Sequence, residues 1–311
     1  MTRPLVAVHT GDSPRTFARL RQVLDAAGAD LDWDVITGEP AAAIRAAGVG
    51  LVVPTRWPGA GLPPAVKLRQ ELGIFAQHRL VRTLPGLPAR HGPIDLLLVR
   101  ETTEDVYAHL EHESVPGVFE SLKVTTRAAT ERIARHAFET ARAQGRSKVT
   151  VVHKSNIMKL SDGMFLRVCQ EVGREFPDVV TDEVIVDALC MKLVLHPGRF
   201  DVLVSGNLYG DILSDLCAGL VGGASNAPAM NVGPGVTVFT SAHGDSPEVD
   251  GTDAANPMVM LLPALALLEH VGRGTVAAQL RAKLADTFTS GARPVAMGGS
   301  LSVGAFFERL A

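Results

Sequence analysis

Two aspartates four residues apart, Asp211 and Asp215, lie in the segment Asn207-Leu-Tyr-Gly-Asp-Ile-Leu-Ser-Asp, which follows an apolar run and opens a helical pattern. At that spacing both carboxylates leave one helical face, where they can grip a hard cation. An acidic first turn that merely complements the helix dipole reads the same way. Asp187 closes another apolar run, taken as a strand, and supplies a third carboxylate. An all-oxygen set of this kind suits Mg²⁺ or Mn²⁺ rather than zinc.

Lys154 ends the apolar strand of Val151-Val-His-Lys-Ser-Asn. Partial burial there would lower its pKa and make it a proton acceptor, although a lysine snorkelling at a strand end looks identical. Tyr107 follows the strand that ends in Arg100-Glu101. Close to a cation and a lysine it is a candidate proton donor; packing alone is the plainer use of a tyrosine. Arg69 and Arg79 bracket a helix-like stretch, and Arg100 sits at a strand end. Three guanidinium forks could hold a dicarboxylate, or each could be a surface residue.

The elements that must position these groups alternate. Apolar runs at Leu5–Val8, Leu51–Val53, Leu96–Val99, Val149–Val152, Val184–Val186, Val202–Val204 and Val236–Phe239 read as buried strands. Helical patterns lie between them, among them Pro14–Ala27 closed by Gly28, Thr126–Ala143 closed by Gly145, and Asp162–Glu175. That alternation predicts an α/β class with a largely parallel sheet. The first strand is followed by His9-Thr-Gly-Asp-Ser-Pro14, not by a Gly-x-Gly-x-x-Gly fingerprint, so a dinucleotide would bind outside Rossmann geometry.

With 46% hydrophobic and 20% charged residues in 311, the chain can bury one large core or two joined lobes. A net charge of −3 with scattered basic residues gives no footprint for nucleic acid or an anionic membrane, which leaves a small molecule as the expected partner. Cys169, Cys190 and Cys217 are far apart and lack metal-ligand spacing, so they read as reduced core residues. The apolar run at Leu5–Val8 is too short for a secretory signal, and Met258–Leu268 is too short to span a bilayer; a cytoplasmic location is the default expectation.

Five ordered stretches then converge: Arg100-Glu-Thr-Thr-Glu-Asp-Val-Tyr107, Glu111 to Lys123, Val152-His-Lys-Ser-Asn-Ile-Met-Lys159, Asn207 to Asp215, and His243-Gly-Asp-Ser-Pro-Glu248 with Asn256-Pro257. From about Leu68 onward the chain resembles the isocitrate and isopropylmalate dehydrogenase family, with the wording of its central stretch closest to the NAD-dependent isocitrate dehydrogenases. The resemblance implies two α/β lobes on a largely parallel mixed sheet, not a Rossmann fold. A large lobe would take residues 1–73 and 222–311, and a small lobe with the metal ligands and the dimer interface residues 74–221. The implied reaction is NAD-dependent oxidative decarboxylation of a malate-like 2-hydroxy di- or tricarboxylate.

By the same resemblance Arg69, Arg79 and Arg100 match the substrate clamp, Tyr107 the proton donor, Lys154 the base, and Asp187, Asp211 and Asp215 the ligands of Mg²⁺ or Mn²⁺. Asn156 matches a residue near the nicotinamide. His243, Gly244, Glu248, Val249 and Asn256 match the adenosine-binding segment, where the Glu248 carboxylate would accept from the ribose hydroxyls of NAD and repel the 2′-phosphate of NADP. A homodimer with shared active sites is implied, Lys154 and Asp187 coming from the neighbouring subunit. A noncatalytic regulatory subunit of a heteromeric dehydrogenase is the alternative; such subunits lose ligands in the Asn207 to Asp215 motif, which is intact here.

The N-terminal third departs from the family. Gly11-Asp12-Ser13-Pro14 stands for a longer glycine-rich turn, Asp245 for Ser or Thr near the expected pyrophosphate, and Ala296-Met-Gly-Gly299 for Asp-Leu-Gly-Gly. Pro63 and Ala65 stand where isocitrate enzymes place Ser and Asn for the third carboxylate, which argues against ordinary isocitrate. Arg56, Trp57 and Lys67 are near enough in sequence to recognise another substituent, or to serve only the surface.

Overall fold

Runs such as Val6-Ala-Val8 and Leu96-Leu-Leu-Val99 are apolar at every position because both of their faces are covered, the pattern of inner strands in a parallel sheet. The computed structural model describes residues 3–55, 59 and 61–311. Arg56 and Trp57 lie outside them. The chain divides into two units, the first made of the chain as far as Gly73, Thr83–Arg90 and Val221–Ala311, the second of Ile74–Arg82 and His91–Leu220.

The first unit starts with β1 (Leu5–His9), α1 (Pro14–Ala26), β2 (Asp32–Ile36), α2 (Ala41–Ala47), β3 (Val49–Val52) and α3 (Pro64–Leu72). Pro14 suits the first turn of α1, and Phe17, Leu20, Val23 and Leu24 form its buried stripe.

The second unit holds β4 (Ala76–Arg82), β5 (Asp95–Glu101), the hairpin β6 (Glu111–Val115) and β7 (Val118–Ser121), α4 (Arg127–Ala143), β8 (Lys148–His153), α5 (Ser161–Gly173), β9 (Val180–Ile185), α6 (Val186–Leu195), β10 (Val202–Ser205) and α7 (Asn207–Leu220). Its large sheet runs β4-β5-β10-β8-β9, parallel except for β4 against β5. The hairpin forms a separate two-stranded sheet with Val115, Val118 and Phe119 exposed.

The chain then returns to the first unit with β11 (Ala229–Gly233), β12 (Val236–Thr240), α8 (Met258–His270), α9 (Gly274–Thr289) and α10 (Val303–Glu308). Strand order there is β2-β1-β3-β12-β11, with β12 parallel to β3 and antiparallel to β11. Residues Met258 to Leu268 of α8 are all buried, packed by β3, β12, α1 and α9. A helix apolar on every side is one that its neighbours surround. Among the described residues no helix is long and apolar enough to cross a membrane.

Three local expectations change. Asp187 does not close a strand: β9 ends at Ile185, and Val186 and Asp187 begin α6. The unbroken apolar run hid the boundary, since periodicity alone does not separate a buried strand from the helix that follows it. Arg69 and Arg79 do not bracket one helix, because Arg69 is in the last turn of α3 and Arg79 is in β4. Cys169 and Cys217 are buried, but Cys190 is only half-buried; all three are free thiols.

Candidate functional site

In the second unit Ser205 of β10 pairs with Arg100 of β5, so these parallel strands end side by side, and α7 starts two residues later. Gly210 lets the helix come down on the strand end. A Cβ there would stand 2.5 Å from Arg100 Cγ and 2.8 Å from its Cβ, distances that side chains do not tolerate. Beneath it Arg100, only 2% exposed, donates from Nε and Nη2 to Asn207 Oδ1 at 2.9 and 2.7 Å. Its Nη1 donates to Asp211 Oδ1, and the other oxygen of Asp211 accepts from the Tyr107 hydroxyl. The guanidinium carbon lies 5.2 Å from the centre of the Tyr107 ring.

Burial first, and then the hydrogen bond and charge of Asp211, raise the Tyr107 phenol above its usual pKa, so it keeps its proton at neutral pH. On β4, Gln77 is opposite Arg100 and Arg79 opposite Leu98, which puts Arg79 and Arg100 on the same face of the sheet. Burial lowers the Arg79 pKa; the Asp215 carboxylate opposes that shift and Arg100 adds to it, so these charges share one electrostatic field. Arg69 lies half-buried in the other unit.

Lys154 follows β8 directly. Its Nζ donates to Asp187 Oδ1 at 2.6 Å, the leading reason that the Asp187 carboxyl lies below its usual pKa. Asn156, two residues on, is exposed. Among the described residues no three His, Cys, Asp or Glu side chains form a group able to hold a metal, so within one chain Asp187 does not complete a set with Asp211 and Asp215. Those two carboxylates do fit a hard cation: both are reachable from solvent, all their donors are oxygens, and a carboxylate has lone pairs to spare beyond the two contacts Asp211 already makes.

The loop after β12 in the first unit holds the remaining predicted residues. His243 Nε2 lies 2.9 Å from Ser225 Oγ. Gly244 is pressed onto Pro54, whose carbonyl oxygen a Cβ would meet at 2.0 Å. Glu248 is exposed and Val249 half-buried. Asn256 accepts the Met258 N–H at 3.1 Å, at the start of α8, and donates its own backbone N–H to Asp245 at 3.2 Å. Burial raises the Asp245 pKa, while the Asn256 N–H that it accepts lowers it. Lys67 is engaged at the surface, 2.8 Å from Glu39.

Asn207, which receives two Arg100 N–H groups, Gly210 and Asp250 are functional positions that the residue pattern alone does not mark. The last is buried and accepts from Arg15 N, Thr16 N and Thr16 Oγ1, each at 2.9 Å, which caps α1. Asn207 and Gly210 stood inside a recognised motif, whereas Asp250 had no local signal, because the helix it caps lies more than two hundred residues earlier.

The family description for isocitrate/isopropylmalate dehydrogenase matches residues 19–306. The mitochondrial isocitrate dehydrogenase [NAD] catalytic subunit 5 of Arabidopsis thaliana is 38% identical over 99% of this chain and 88% of its own length. The chloroplastic 3-isopropylmalate dehydrogenase of Solanum tuberosum is 38% identical over 91% of this chain and 84% of its own. The crystal structure of isocitrate dehydrogenase from Methylococcus capsulatus, 33% identical, superposes with a TM-score of 0.89 and 98% coverage of both chains. The chain therefore belongs to the isocitrate/isopropylmalate dehydrogenase family, with that family's α/β fold on a largely parallel mixed sheet.

One expectation is overturned here. The cytoplasmic location does not stand against relatives from Arabidopsis, Drosophila and human that are named as mitochondrial. That expectation rests on the shortness of the apolar run at Leu5–Val8, and one short run does not fix a compartment.

Proposed function

We propose that the protein oxidises and decarboxylates a malate-like 2-hydroxy acid with NAD and Mg²⁺ or Mn²⁺, as a homodimer with shared active sites. The observation that carries this reading is the constellation at the end of β5, where Arg100, Tyr107 and Asp211 are bonded to one another with Arg79 and Asp215 in the same field. Lys154 and Asp187 form a second ion pair, and within one chain Asp187 does not join Asp211 and Asp215 in one metal-holding group.

Arg79 and Arg100 hold the carboxylates of the substrate. Lys154 of the partner subunit takes the proton of the C2 hydroxyl, and Tyr107 returns a proton to C3 after the β-carboxylate has left as CO₂. Asp211 and Asp215, with Asp187 of the partner subunit, would hold a divalent ion, which would supply Lewis-acid stabilisation, and bound NAD would supply the hydride acceptor. Glu248, His243, Gly244, Val249 and Asn256 would hold the adenosine part of NAD, with Glu248 as the acceptor for ribose hydroxyls, and Asn156 would serve its nicotinamide. Pro63 and Ala65 at the start of α3 offer no polar side chain for a third carboxylate, which supports a malate whose C3 substituent carries no carboxylate over isocitrate.

NADH formation with a panel of 2-hydroxy diacids and triacids, with and without Mn²⁺, tests this. Turnover of at least one member that depends on the ion is expected. Binding of a hydroxy acid without turnover of any would favour a regulatory subunit instead.

A further inference from the structure

Asp105, two residues before Tyr107, belongs to a group of three charges that the proposed reaction does not use, two buried carboxylates and a half-buried lysine. Lys123 Nζ lies 3.2 Å from Asp105 Oδ2 and 3.3 Å from Asp162 Oδ1, and both carboxylates are almost fully buried. The Tyr209 ring covers the ammonium at 5.5 Å. Both carboxylates also accept from backbone N–H groups. Asp105 accepts from Val106 at 2.8 Å and from Leu208 at 3.1 Å; Asp162 accepts from Lys154 at 2.7 Å.

Those three amides belong to three functional segments. Val106 opens the single helical turn Val106–Ala108 that carries Tyr107. Leu208 is in the first turn of α7, which carries Asp211. Lys154 is the proposed base. Asp105 also sits at φ 80°, a strained conformation for a residue with a side chain, so its place depends on what holds it.

We propose that Lys123 is a positioning residue. Its ammonium, by pinning Asp105 and Asp162 together, fixes the spacing between the Tyr107 turn, the first turn of α7 and the Lys154 backbone. In a dimer with shared sites, each Lys123 thus orders the acid and carboxylates of one site and the base of the other. Without the cation the two carboxylates either repel each other or share a proton, and in both cases the ammonium's tie between the three segments is lost. The proposal rests on the reading of Tyr107, Lys154 and Asp211 as the reacting set.

Three variants test it: Lys123→Met, Lys123→Arg, and the charge-balanced Lys123→Met with Asp162→Asn, which serves if the single change does not fold. In the Met variants kcat should fall about 10–100-fold, as when an outer-shell support is removed, with KM for the hydroxy acid and NAD changed less than about threefold. Lys123→Arg should recover most of the loss. Hydrogen exchange at the Val106, Lys154 and Leu208 amides should rise together in the Met variants and stay slow with Arg. Unchanged kcat in a folded Met variant, or unchanged exchange at these amides, overturns the proposal. If the wild type turns over no hydroxy acid, the reaction reading falls by itself, and the exchange result alone decides whether Lys123 fixes the three segments.

Discussion

The ends of β5 and β10 in the second unit and the loop after β12 in the first treat charge in opposite ways. At the strand ends, buried guanidinium groups are matched to carboxylates that still face solvent, so the charges are held in place but remain open to a ligand. In the loop, Asp250 closes the N-terminus of α1 from within. A free helix N-terminus is a ready anion site, and this one is already satisfied. The difference teaches that a charge can be held in two ways: at the strand ends it is fixed yet left open to solvent, and in the loop region it is consumed inside the fold by a helix N-terminus.

The largest expected effect probes the strand-end region. Tyr107→Phe and Lys154→Met should each lower turnover about 10²–10⁴-fold as homodimers. Mixed dimers should regain up to about half of the wild-type rate, because one of their two sites combines an intact Tyr107 with an intact Lys154. Verified heterodimers as inactive as their parents would break the shared-site geometry.

A smaller effect tests the loop. Asp250→Ala removes a buried acceptor from two backbone N–H groups and a hydroxyl, and should cost about 1–3 kcal/mol, read as a lower denaturant midpoint at unchanged slope. An unchanged midpoint means that water takes over the cap. The smallest effect concerns cofactor choice: Glu248→Lys should shift the NADP over NAD preference by about tenfold, or about 1.4 kcal/mol, measured as the ratio of kcat/KM values. A constant ratio would move that choice to another residue.

What was legible in the sequence follows from how local the signals are. Buried parallel strands announce themselves as apolar runs, and Asp211, Asp215, Tyr107 and Lys154 stand in motifs whose wording survives intact. Strand β4 escaped because its buried residues include Gln77, His78 and Arg79, polar groups that a pattern of apolar residues does not register. Strands β2 and β11 were missed as well: β2 is largely exposed, and β11 alternates buried with half-buried positions over five residues. Within the site, motif wording named the residues but not their partners. That Arg100 spends two donors on Asn207, and that Gly210 is where it is because Arg100 lies beneath it, are facts of packing between residues more than one hundred positions apart.

The position of β12 beside β3 bears on how the protein is made. The second unit has all its strands within residues 76–205, a stretch interrupted only by Thr83–Arg90, which belongs to the first unit, so its own sheet can close as it leaves the ribosome. The first cannot do so. β3 has only β1 as a partner until β12 arrives about 180 residues later, and α8, which covers β3 and packs against α1, comes later still. For most of translation the chain therefore carries three early strands with an open edge, and the step that seals them is the long-range docking of its own last third.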